Sequence, residues 1–335
     1  MPDPQLLDGR TLLITGVTGS LGGAFLERIR SGSIGRPARI VGFSRDEAKQ
    51  HELRRRGFED ELPLELRLGD IRDRDAITEA TRGVDWVLHS AALKQVPICE
   101  RQPAEAIATN VGGAENLVRA VHTSGSVSRV VAISTDKACL PVSALGLTKA
   151  LAERLFSTAH RPGSEAEFIN LRPGNLLSSR GSVVPHFLEQ MERGGPVTVT
   201  DPGMTRYFLS IDEAIDAVVD SFRWGSAGET VVPDAPSIRL GDLAAGLIGD
   251  RKIEVEVTGV RPGERIHEFL VSETEAPRTV RRAGRYVIAP EVAIEGAESR
   301  WPDEATPVDG PVTSETAPLS SADARAWLER NLNRS

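Results

Sequence analysis

The chain has 335 residues, 40% of them hydrophobic and 26% charged, which is enough apolar material to bury a core and too much for a disordered polymer. Forty Lys and Arg against 48 Asp and Glu leave a net charge of −8, the wrong sign for a protein that grips nucleic acid. Two cysteines, Cys99 and Cys139, cannot staple a secreted scaffold and suit a reducing compartment.

No apolar run approaches the ~18 residues of a membrane span. Met1–Arg10 is short and polar, without the marks of a signal or transit peptide. The expectation is a cytoplasmic protein that engages neither membrane nor nucleic acid.

In chain order, short apolar runs predict strands at Thr11–Thr15, Arg39–Phe43, Leu66–Ile71, Trp86–Ala91, Arg129–Ser134 and Glu167–Arg172. Helical patterns lie between them. Pro103 stands where a first turn begins, and Ile107, Val111, Ala114, Leu117, Val118 and Val121 follow at helical spacing. Strands alternating with helices imply right-handed crossovers and an α/β fold with a Rossmann-type, doubly wound parallel sheet. Ligands of such sheets sit beyond the carboxyl ends of the strands.

The second half is less regular. Ser182–Arg193 reads as a helix, and Ser210-Ile211-Asp212-Glu213 is a capping box opening a helix to Phe222. Ile253–Thr258 alternates like a half-buried strand. Residues 295–319 are polar and rich in Pro, Thr and acidic side chains, which predicts a loose connection, and Ala322–Leu332 reads as a terminal helix.

After the first strand comes Thr15-Gly16-Val17-Thr18-Gly19-Ser20-Leu21-Gly22. Gly16, Gly19 and Gly22 permit a tight turn, close approach to a pyrophosphate, and close helix–strand packing. The helix opening at Ser20 and Leu21 then presents its first N–H groups and a favourable dipole to the phosphates, beside Thr18. A dinucleotide-binding domain over residues 1–171 follows, with a smaller α/β substrate domain over 172–335, the chain being free to cross back between them.

Where an NAD binder ends its second strand on an acidic residue, this run ends Ser44-Arg45. Arg45 either pairs with a 2′-phosphate, which selects NADP over NAD, or is a solvated loop residue. Asp70 is positioned to accept from an adenine amino group, with Ile71 against the ring. Ala91 and Ala92 are small enough to admit a nicotinamide ribose, or serve only sheet–helix packing.

Beyond the fifth strand stand Ser134-Thr135-Asp136-Lys137-Ala138 and then Leu145-Gly146-Leu147-Thr148-Lys149. The layout resembles the short-chain dehydrogenase/reductase superfamily, where a Ser or Thr, a Tyr and a Lys four residues later act together. Positions four apart share a helix face. Here Leu145 holds the Tyr position, and the two tyrosines, Tyr207 and Tyr286, lie far downstream.

Longer strings narrow the resemblance: Ala91-Ala92-Leu93-Lys94-Gln95-Val96-Pro97, Gly181-Ser182-Val183-Val184-Pro185, Asp201-Pro202-Gly203-Met204-Thr205-Arg206-Tyr207-Phe208 and Gly259-Val260-Arg261-Pro262-Gly263-Glu264-Arg265-Ile266-His267-Glu268. Together they resemble the UDP-N-acetylglucosamine 4,6-dehydratase family of polysaccharide biosynthesis, in its short form without a membrane-spanning extension.

The resemblance implies NADP-dependent removal of a hydride from sugar C4, loss of water across C5 and C6, and return of the hydride to C6. Lys137 would be the C5 base, Asp136 the acid for the departing hydroxyl, and Thr135 a hydrogen-bond partner of the C4 oxygen. Lys149 would hold the nicotinamide ribose and lower local proton affinities. With Leu145 in place, either Lys149 or a water on Thr135 must accept the C4 hydroxyl proton. Lys94, Asn175, Thr205, Arg206, Arg261 and Glu264 would line the nucleotide-sugar pocket, Lys94 also reaching the cofactor. Assembly into a homo-oligomer is implied as well.

For Lys137 to act as a base its proton affinity must fall, so burial is expected to outweigh pairing with Asp136. The six histidines are scattered without metal-ligand spacing, and no metal is expected. Two further readings stay open: an epimerase or a 5,6-dehydratase, and a catalytically silent NADP-binding regulator.

Overall fold

A computed structural model describes residues 4–179, 181–294 and 299–332. Six strands, β1 (Thr11–Thr15), β2 (Arg39–Ser44), β3 (Leu64–Leu68), β4 (Trp86–His89), β5 (Arg129–Ile133) and β6 (Glu167–Leu171), pair in parallel in the order 3-2-1-4-5-6. That is the doubly wound Rossmann order, with its reversal between β1 and β4. The sheet does not stop at β6. Strand Thr230–Pro233 adds in parallel, and Arg285–Ile288, Thr279–Arg282 and finally Thr306–Pro307 follow antiparallel. The carboxyl-terminal half therefore returns to the first half's sheet.

Burial follows from the pleat. Leu12, Leu13 and Ile14 of β1 are all buried, Leu12 and Ile14 in one apolar cluster with Leu26 and Phe222, and Leu13 in another with Leu117, Phe156 and Phe168. Successive side chains of one strand thus feed two cores, one under each helical layer. A third core joins Phe187, Phe208 and Trp327 in the carboxyl-terminal half.

The helix after Pro103 departs from its periodicity. It runs as Pro103–Ala106, a π turn at Ile107–Gly112, and Gly113–Ser124. The wider turn rotates Ile107 outward to 53% exposure, against its expected inward place. Asn110 is buried instead: its amide bonds both the N–H and the C=O of Leu93 and donates to Thr148. Buried polar groups must be paired, and this one is.

The capping box at Ser210 and Glu213 forms as read, opening helix Ile211–Trp224. The strand foreseen at Ile253–Thr258 shortens to Val255–Val257, and all three residues are exposed rather than half-buried. Of the foreseen loose connection, 295–298 lie outside the described residues. The rest is held down. Trp301 is buried and donates its indole N–H to Glu229, Ser314 is fully buried, and two short strands form at Thr306–Pro307 and Val312–Thr313. A polar composition concealed these anchors. Among the described residues no helix is long and apolar enough to cross a membrane.

Candidate active site

Because β1 to β6 are parallel, the loops after Thr15, Ser44, Leu68, His89, Ile133 and Leu171 share one edge of the sheet. Gly16 turns there with φ of +70°, and a Cβ on it would lie 2.8 Å from the backbone of Ser90 and Ala91. Only glycine fits that approach. Gly22 packs as tightly, since a Cβ would meet Gly16 O and Val17 at 2.7–2.8 Å. Helix Ser20–Arg30 starts at Gly19 with no side-chain cap and no acidic residue in its first turn. Its N–H groups and dipole suit an anion. This cradle of small residues before an uncapped helix fits the pyrophosphate of a dinucleotide.

At the next two loops Ser44 is buried and accepts from Gln50, while Arg45 is 52% exposed. Asp70 is already engaged: Arg72 grips its carboxylate through Nε at 3.0 Å and Nη2 at 2.7 Å, and Arg45 stands 3.7 Å away. Arg72 holds the Asp70 carboxyl below the usual range, its hydrogen bond outweighing partial burial. Ile71 is buried where a Cβ on Gly113 would touch it. Ala91 and Ala92 are half-buried, and Lys94 is exposed.

After β5, Thr135 caps a one-turn 3-10 helix, Asp136–Ala138. Asp136 is fully buried. Its Oδ1 accepts from the Thr135 hydroxyl at 2.8 Å and from Lys137 Nζ at 2.9 Å, and its Oδ2 has no hydrogen-bond partner among the described residues. Lys137, with 21% of its side chain exposed, also donates to Asn175 Oδ1 at 3.2 Å and lies 3.7 Å from Glu268. The expected depression of Lys137 is overturned. Burial lowers its proton affinity, but Asp136 and Glu268 together outweigh burial and raise it.

Helix Ala144–Ser157 sits directly on this turn, capped by Ser143, and a Cβ on Gly146 would collide with the Lys137 carbonyl. Lys149 from that helix is buried and donates to Ile133 O at 2.5 Å. Burial pushes its ammonium down to about 8, against the opposing pull of Glu153. Nearby His89 bonds Thr15 and is held neutral by burial and by the Lys149 charge. Leu145 is 4% exposed, packed with Cys99 and Ala106.

Thr205 and Arg206, expected in the pocket wall, are spent on internal contacts. The Thr205 hydroxyl is shared by His267 and Ser314. The Arg206 guanidinium donates to the carbonyls of Thr205, Arg265 and Ile266. Arg261 lies exposed on the next loop, where its N–H donates to Glu264 at 3.3 Å. Asn175 bridges Lys137 and the carbonyl of Tyr207.

Three acidic groups were not singled out from the sequence. Glu268, although inside a quoted string, is buried beside Lys137. Glu275 joins Glu153 around Arg172, which bonds both carboxylates at 2.7–3.1 Å. Only the fold brings residues 153, 172 and 275 together.

Known proteins resemble this chain in sequence and fold. A family model described as polysaccharide biosynthesis protein matches residues 12–290. A Rickettsia conorii protein named UDP-glucose 4-epimerase is 44% identical over 271 residues, 79% of each chain. The crystal structure of Pen from Bacillus thuringiensis covers 97% of this chain and 99% of its own, with a TM-score of 0.88 and 29% identity. The dTDP-glucose 4,6-dehydratase DesIV of Streptomyces venezuelae, solved with NAD bound, shares the fold at a TM-score of 0.68 and 21% identity over 76% of this chain and 86% of that one. The fold is that of the extended short-chain dehydrogenases/reductases, and the chain belongs to the polysaccharide biosynthesis protein family.

Proposed function

We propose that this protein is an NADP-dependent nucleotide-sugar dehydratase acting through a 4-keto intermediate, with UDP-N-acetylglucosamine or a close relative as substrate. The observation that carries the reading is Asp136: a buried carboxyl with one oxygen on Lys137 and the other without a partner among the described residues. A sugar hydroxyl leaving from C6 needs such an acid beside a base.

Gly16, Gly19, Gly22 and the helix start would hold the dinucleotide, with Arg45 favouring a 2′-phosphate. The chemistry supplied by a bound nicotinamide is reversible hydride exchange with a sugar carbon. Lys149, poised near neutrality, accepts the C4 hydroxyl proton. Thr135 is the weaker candidate, since its hydroxyl already donates to Asp136.

A ketone at C4 acidifies the C5 proton. Passing one proton along the 2.9 Å Lys137–Asp136 hydrogen bond leaves a neutral amine and a neutral acid. Lys137 then takes the C5 proton while Asp136 protonates the C6 hydroxyl, and water leaves. Both groups return to their resting charges; Lys137 ammonium later protonates C5, and the proton that Lys149 took from the C4 hydroxyl is released to solvent as Lys137 takes one up, which restores the resting pair. Lys94, Asn175, Arg261 and Glu264 are proposed to contact the nucleotide sugar, and Arg206 and Thr205 to shape its wall from behind.

The second reading is 4-epimerisation, favoured by the name of the 44% identical relative. Incubation with UDP-N-acetylglucosamine and with UDP-glucose in deuterated water, followed by mass spectrometry, separates them. Dehydration loses one water and gains solvent deuterium. Epimerisation keeps every oxygen. Unchanged sugars in both incubations defeat both readings.

A further inference from the structure

Glu268 is a buried carboxylate that the proposed chemistry does not use. It stands just before strand Phe269–Val271, and its backbone is fixed at both polar atoms: its N–H donates to Ser314 Oγ at 2.8 Å, and its C=O accepts from Ser314 N–H at 2.9 Å. The side chain, 5% exposed, reaches to 3.7 Å from Lys137 Nζ and 3.7 Å from Arg206 Nε. Three carbonyls and Met204 Sδ in turn fix the Arg206 guanidinium. The carboxylate is therefore aimed at Lys137 by a rigid frame from a segment more than 130 residues away.

We propose that Glu268 is a positioning residue that governs the charge of Lys137, holding it as an ammonium between turnovers so that the amine is released only when the proton moves to Asp136. Its mechanistic meaning rests on the dehydratase reading, in which Lys137 must alternate between the two forms. The groups facing Lys137 are Asp136 on its own turn, Asn175 after β6, Arg206 on strand Thr205–Leu209, and Glu268; behind them Tyr207 acts on Asp136 and Arg265 on Glu268. Burial keeps the Tyr207 phenol protonated, and Asn175 is neutral. Asp136 and Glu268 are then the acidic groups that oppose the cost of burying the ammonium; burial pushes the Glu268 carboxyl itself up, and the Lys137 charge pulls it back down. Arg206 draws on one of them. An opposite charge at this range moves a titration by about 1–3 pH units.

The test is competitive acetylation with acetic anhydride at pH 9, read by mass spectrometry at Lys137 and normalised to the exposed Lys252. Removing the charge in Glu268→Gln favours the free amine, so labelling of Lys137 rises about tenfold or more. Glu268→Asp, which keeps the charge one methylene further back, gives a smaller rise. Unchanged labelling in a folded Glu268→Gln protein overturns the proposal. Should that variant fail to fold, unchanged labelling in Glu268→Asp overturns it equally. The reagent reads Lys137 without substrate. A labelling rise in Glu268→Gln beside an unmodified protein that dehydrates nothing sinks the proposed reaction and leaves this role standing, and dehydration by the unmodified protein with unmoved labelling in the variant does the reverse.

Discussion

Lys137 and Lys149 are both largely buried, on neighbouring elements at one edge of the sheet, yet their proton affinities move in opposite directions. Around Lys137 two carboxylates lie within 3.7 Å. Around Lys149 the nearest partner is a neutral carbonyl, and Glu153, one turn on, is already claimed by Arg172. Desolvation is common to both regions; the supply of unspent negative charge is not. Burial alone therefore says little about what a buried amine does.

The largest expected effects come from removing each amine. Lys137→Met should lower turnover by about 10²–10⁴-fold, with no solvent deuterium at C5. Lys149→Met should fall by a similar factor, and a steady-state assay with mass analysis checks both. In the unmodified protein the rate should drop tenfold per pH unit below about pH 8, because the neutral fraction of Lys149 falls at that rate. A flat profile from pH 6 to 8 breaks the contrast between the two sites.

Next comes the device that keeps Glu153 occupied. Arg172→Met strands Glu153 and Glu275 in the interior and should cost about 3–5 kcal/mol in urea denaturation. In whatever folds, Glu153 then acts on Lys149 alone and favours its ammonium, so the acid-side fall in rate begins above pH 8. A smaller change is expected at Gly146→Ala, where the added methyl meets the Lys137 carbonyl. About 1–3 kcal/mol of overpacking follows, read as a lowered melting temperature with reduced turnover. Smallest is Arg45→Ala. It should weaken NADP by about tenfold or somewhat more, the range of one charged hydrogen bond, and leave NAD unchanged in a fluorescence titration.

Much of this was legible in the residues. Strand β1 occupies Thr11–Thr15 as its apolar run foretold, and Gly16 carries the positive φ that its motif requires. Local patterns suffice where one neighbour decides the geometry. The inward place given to Ile107 failed because a π turn, stabilised by Asn110 against Leu93 and Thr148, changes the helical face. The charge of Lys137 was misjudged for a related reason. Asp136 is its chain neighbour and visible, whereas Glu268 reaches it only after the second half folds back. A pKa is a sum over space, and spacing along the chain omits most of it.

The sheet's outermost strand on the carboxyl-terminal side, Thr306–Pro307, has a further consequence. It is two residues long, and proline brings no N–H to a ladder. That margin offers an incoming chain almost nothing to pair with, so stacking of copies into continuous fibrils is discouraged there.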